Sequence, residues 1–299
     1  HILSSGVTIR SSRRNNGAPN ESSVSSYIRC TLSVARGMAR ALIDGRPFPW
    51  ALSFDTFEAV IFPSNGGVYS PYSGRERFIY NVGEKRLATQ EEYLSSPWGE
   101  EAPLPAHLKH SWRSGVNSLY KANINELTGY RLLFATLALK AYACLLVAIT
   151  GCYPSELIQF DFEEALELEK SLVKKELSAV KLRARGRTTR YALGKDGGLV
   201  ILREFIELRT WMLQGRKFDR LFFRFQKAGE DECANVLPLA PSFSNQFYLR
   251  ISGTYLDPSV PHLGGRMLRR LKSVVLKTLG TSPDVVADLL NHSLVTNLS

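Results

Sequence analysis

Cysteine, histidine and methionine are scarce in this 299-residue chain, at four, five and three copies. Cys30, Cys144, Cys152 and Cys233 never fall into a Cys-x-x-Cys spacing, and the histidines do not stand with them as ligand sets would require. A structural metal is therefore not expected. Cysteines flanking or lying within apolar sequence read as reduced thiols used as small hydrophobes, which fits an intracellular setting. No run of about 18 uninterrupted apolar residues occurs, and the most hydrophobic stretch, Leu132 to Ile149, contains Lys140. It is expected to be a buried helix, and a membrane is not an expected partner. Nothing at the front resembles a secretory signal. Acidic residues are also short, 28 against 38 Lys and Arg, for a net charge of +10. That excess points to a polyanionic partner.

The length allows two domains. Residues 4 to 26, rich in Ser, Asn, Gly and Arg, read as an arm that Arg10, Arg13 and Arg14 would make adhesive to phosphates. From Val24 to Ile43 the apolar residues recur at helical spacing, with Arg29, Arg36 and Arg40 interleaved. Such a helix suits a DNA backbone or a solvated face, and the pattern does not choose. Prolines at 47, 49, 63, 71 and 97 punctuate aromatic-rich pieces that take no regular assignment. Residues 96 to 105, acidic and proline-rich, read as an extended connection. The expected division is thus 1–105, an arm and DNA-binding domain, and 106–299.

The second part reads mainly as helices. Leu132 to Thr150 is one, ended by Gly151, and Pro154 opens the next with Ser155, Glu156, Leu157 and Ile158. The acidic stretch Asp161 to Glu169 follows, then a two-stranded hairpin over 177–193 and a helix from Leu199 to Leu213. The expected fold class is mainly α with a small β-hairpin.

Three segments carry chemistry. The first is Thr150-Gly151-Cys152-Tyr153-Pro154-Ser155-Glu156-Leu157. The second runs from Lys181 to Leu193, where strand alternation puts Lys181, Arg183 and Arg185 on one face, with Arg187 and Arg190 beyond a turn at Gly186. The third is Gly264-Gly265-Arg266-Met267-Leu268-Arg269-Arg270-Leu271-Lys272, followed by Gly280 and the box Leu289-Leu290-Asn291-His292-Ser293. An arginine fork can grip two phosphate oxygens, and a nearby imidazole can donate as charge grows on them. A solvated basic surface would show many of the same residues.

In order and spacing these segments resemble the tyrosine recombinases, the phage-integrase family, over roughly residues 128 to 299. The resemblance implies a two-domain architecture with an α+β catalytic domain that clamps duplex DNA, self-associates on it, and cuts and rejoins a strand through a 3′-phosphotyrosyl link. No metal or other cofactor is implied. Arg269 and His292 match the family's second arginine and the histidine of its Leu-Gly-His-Ser-like box, with Asn291 replacing the glycine. Tyr153 stands where the family has its first arginine, Arg266 where it has a histidine, and Arg185 where it has a lysine that protonates the leaving oxygen. The nucleophilic tyrosine would fall just past Ser299. A degenerate active site is thus implied, with Arg269, His292, Arg185, Arg266 and Tyr153 as its catalytic positions. Lys181, Arg183, Arg187, Arg190, Arg270, Lys272, Arg10, Arg13 and Arg14 would contact DNA. A relative that binds DNA without cutting it, and an unrelated basic RNA-binding or scaffold protein, are the other readings.

Overall fold

The computed structural model describes residues 20–63, 67–73, 79–97, 105–170, 176–181, 187–193, 197–228, 231–270 and 272–279. Within these, helix α1 (Glu21–Ile43) starts at Asn20, whose side chain accepts from the Ser23 amide at 2.7 Å, and Glu21 sits in its first turn. That cap satisfies an amide with no intrahelical partner and suits the positive end of the helix. Val24, Tyr27, Ile28, Val34, Met38 and Leu42 form its buried stripe. Two of the arginines on its basic side are bridged within the protein, Arg29 to Asp55 at 2.7 Å and Arg36 to Glu204 at 2.9 Å.

The proline-punctuated stretch forms small antiparallel sheets. Strands β1 (Trp50–Ser53), β2 (Glu58–Ile61) and β3 (Val68–Tyr69) pair in that order, with Trp50 opposite Ile61. Strands β4 (Tyr80–Asn81) and β5 (Arg86–Leu87) make a short ribbon before α2 (Gln90–Leu94). Most of the connection expected over 96–105 lies outside the described residues, and α3 (Pro105–Ile124) begins at its end.

Helix α4 (Gly129–Thr150) is the pivot of the fold. Alanine, leucine and other apolar residues run around its full circumference, and a helix apolar on all sides must be covered on all sides. Helices α1, α3, α5 (Pro154–Leu157), α7 (Leu199–Leu213), α8 (Phe243–Ile251), α9 (Gly265–Arg270) and α10 (Lys272–Thr278) pack against it. By length and mean hydropathy, 2.2 over its most apolar stretch, α4 is able to cross a membrane, but 78% of that stretch is buried by the rest of the protein. Helix α6 (Phe162–Lys170) carries the acidic segment, followed by the hairpin of β6 (Glu176–Lys181) and β7 (Arg187–Ala192). Strands β8 (Phe223–Ala228) and β9 (Asp231–Pro238) form a further hairpin.

The fold is mainly helical with small antiparallel sheets. A single apolar cluster runs from Val24 on α1 through α4 to Val275 on α10, so the core crosses the boundary expected at residue 105. Burying the apolar stripe of α1 against α4, α7, α10 and strand β1 is favourable because it removes that surface from water.

Two arginines serve the core instead of a ligand. Arg131 is 3% exposed, donates to the carbonyls of Ala122 and Arg46, and lies over the Phe48 and Trp50 rings. Arg209, equally buried, donates to the carbonyls of Leu221, Phe218 and Arg220 and stacks on Phe162. Burial lowers the Arg209 guanidinium to about 10, and Glu163 opposes that shift.

Candidate functional site

The turn between α4 and α5 is built by its own sequence. Thr150 donates back to the Leu146 carbonyl at 2.6 Å, and Gly151 ends the helix at φ 70, the left-handed conformation that glycine adopts without a Cβ clash. Pro154 then opens α5 with its φ already suited to a helix. The Glu156 carboxylate reaches back to accept from the Tyr153 amide at 2.9 Å, so one side chain closes the turn.

Glu156 does more than close the turn. It is 4% exposed, and the oxygen that accepts from Tyr153 also accepts from the Tyr191 hydroxyl, on β7, at 2.5 Å. A carboxylate removed from water requires such donors. The hairpin is thereby tied to the turn.

Helix α9 meets the same turn from the other side. A Cβ placed on Gly265 would lie 3.2 Å from Pro154 Cδ and 3.4 Å from a Val147 methyl, so the backbone of α9 reaches the turn at a distance that a side chain would spoil. Leu268, 2% exposed, anchors the helix in the core. The three segments singled out in the sequence, far apart along the chain, converge on Pro154 and Glu156.

The individual residues divide as follows. Tyr153 is half-buried at the start of α5, and Arg190 is exposed on β7, opposite Ser178. Arg266, Arg269 and Arg270 lie along α9, and Lys181 pairs with Arg187 at the turn end of the hairpin; for these five only the backbone is described. Lys272, expected to contact DNA, is buried at 7% exposure because α10 packs against α1 and α4. Arg10, Arg13, Arg14, Arg183, Arg185 and His292 lie outside the described residues.

Cys152, inside the turn, is 1% exposed, and burial pushes its thiol up to about 12, with the Thr150 hydrogen bond and Lys272 pulling the other way. It is a core thiol, unsuited to nucleophilic work at neutral pH. His262 packs its ring on Tyr248 of α8, 5.1 Å between centroids, and burial lowers its pKa while a hydrogen bond with the Ser244 backbone opposes that. Among the described residues no group of acids, cysteines and histidines could hold a metal ion.

Glu156 and Tyr191 were not singled out as site residues by sequence reasoning. The three-residue spacing from Tyr153 to Glu156 is a legible capping signal. Nothing local marks Tyr191, because its partner lies on another element. Comparison with protein-family models, curated proteins and solved structures found no match.

Proposed function

We propose that this chain is a duplex-DNA-binding protein of the tyrosine-recombinase kind, which cuts and rejoins one strand through a 3′-phosphotyrosyl intermediate. The observation that carries the reading is the seating of Gly265 against Pro154. It brings the helix bearing Arg266 and Arg269 to the turn bearing Tyr153, as a shared phosphate site requires. In this reading a tyrosine oxygen attacks phosphorus, the 5′ oxygen leaves with a proton, and the phosphodiester energy is kept in the protein-DNA bond for the reverse step. The Arg269 fork and the His292 imidazole stabilise the added charge. Arg185 binds phosphate but is a poor proton donor, since a guanidinium does not give up its proton near neutral pH.

Tyr153 favours a second reading, a recombinase-derived protein that binds duplex DNA without cutting it. A tyrosine hydroxyl offers one hydrogen bond and no positive charge in place of a bidentate cation. Losing one such donor costs on the order of a hundredfold or more in rate.

The test is a covalent trap, in which the full-length protein is incubated with nicked suicide duplexes from its source DNA and run on denaturing gels. An SDS-resistant, nuclease-trimmable adduct that disappears in Arg269→Ala supports cutting. Tight duplex binding without adduct supports the second reading. Equal affinity for RNA and duplex DNA, untouched by Arg269→Ala, overturns both.

A further inference from the structure

We infer that Tyr191 is a positioning residue of this site, holding the β6–β7 hairpin to the turn of Tyr153 through the Glu156 carboxylate. The inference rests on the recombinase reading but assigns a role that the sequence comparison does not. Tyr191 is 8% exposed, its ring lies beside Phe160 at 5.9 Å, and its place on β7 is opposite the buried Leu177. Its hydroxyl therefore points inward, and its acceptor is an oxygen already bonded to the backbone amide of residue 153. A hydrogen bond to a charged, buried oxygen is among the stronger kinds and leaves little freedom in geometry.

Two other side chains grip the same hairpin. Glu164 accepts from the Ser178 amide and hydroxyl at 2.9 and 2.8 Å, and Gln159 bonds the Val180 backbone. Those bonds end on α6 and on the segment after α5. The Tyr191 bond ends on Glu156 of α5, two residues after the proline that seats α9, at the oxygen that also caps the Tyr153 amide. Removing the hydroxyl takes away the bond that joins the hairpin to Glu156 and so loosens the hairpin against the Tyr153 turn, while no charge near the DNA is changed.

The experiment compares full-length wild type, Tyr191→Phe and Ser178→Ala by single-turnover adduct formation on nicked suicide duplexes at saturating DNA, with duplex affinity and melting temperature measured alongside. Tyr191→Phe keeps the ring and its packing. Its adduct rate is expected to fall about tenfold to a hundredfold, the scale of a small misplacement of reacting groups. Its affinity should stay within about twofold because the phosphate-binding charges are intact. Ser178→Ala loosens the hairpin without touching Glu156 and should cut at the wild-type rate. A wild-type rate in Tyr191→Phe, or an equal loss in Ser178→Ala, overturns the positioning role and leaves the recombinase reading standing. Absence of adduct in wild type overturns that reading and the positioning role with it. Should Tyr191→Phe fail to fold, Glu156→Gln carries the same test by weakening the acceptor at constant size, with a slowed rate in support and a wild-type rate against.

Discussion

Tyr153 is the residue on which the choice between cutting and mere binding turns. It occupies a turn whose backbone is shaped by Gly151, Pro154 and the Glu156 cap. Tyr153→Arg restores a bidentate cation at this position and is expected to raise the adduct rate by about tenfold or more if the phosphate sits at this turn. A rate unchanged in the single-turnover trap would remove Tyr153 from the site. His262 supplies a prediction that does not depend on DNA. Its Nε2 is buried without a hydrogen-bond partner among the described residues, and burial depresses its pKa from the ordinary 6.5. The unfolded chain thus takes up the proton more readily than the folded one. The stability owed to the neutral ring is complete above the unfolded value and is lost as pH falls through 6.5 toward the lower folded value. The melting temperature should drop between pH 7.5 and about pH 5, and His262→Phe, which cannot titrate, should flatten that part of the profile.

Helix α9 has only six residues, and Leu268 in the core and Gly265 on the turn help to fix its position. Gly265→Ala puts a methyl 3.2 Å from Pro154 Cδ, tighter than ordinary packing, and neither the proline ring nor the end of α4 can yield freely. Destabilisation of about 1–3 kcal/mol is expected, together with a fall in adduct rate larger than the fall in duplex affinity. Equal rate and melting temperature in this variant would mean that the close approach is not needed. The elements themselves were unequally legible. Helices α1 and α7 were readable from apolar residues at helical spacing, and α4 from a long apolar run ended by Gly151. The β6–β7 hairpin was readable from alternation around Gly186. Strands β1 to β3 were not, since each has four residues or fewer and is held by pairing with its neighbours and by the packing of β1 on α1. The β8–β9 hairpin was missed for a different reason, a register shift between Gln226 and Ala228 that breaks the two-residue period.

Taken together, α1 and the later helices share one core, and this changes what a truncation should do. A fragment from residue 106 onward loses Val24, Tyr27, Ile28, Val34, Met38 and Leu42, each at most 1% exposed, and uncovers the faces of α4 and α7 beneath them. At roughly 1.5–3 kcal/mol for each large buried side chain, the loss exceeds the net stability of most domains. The fragment is expected to show no cooperative melting transition by circular dichroism. A stable, cooperatively melting fragment would restore the division at 105 as a boundary between separately folding parts. The net charge of +10 acts at this same level. It favours a polyanionic partner, yet Arg29 and Arg36 on α1 are already paired with acids of the protein, so helical spacing of arginines on α1 is not by itself a DNA track.

Composition, periodicity and capping determined that this chain is mainly helical, that residues 132 to 150 form a largely buried helix, and that this helix ends at Gly151, because these follow from local propensity and from the distribution of apolar residues. The ordered spacing also picked out three segments as belonging together. Only the tertiary structure decided that they meet at Pro154 and Glu156, that Lys272 is buried, and that the Tyr191 hydroxyl joins the hairpin to the turn. Those facts depend on which faces of α4 are covered by elements distant in sequence, and a side chain's partner across such a contact leaves no periodic trace along the chain.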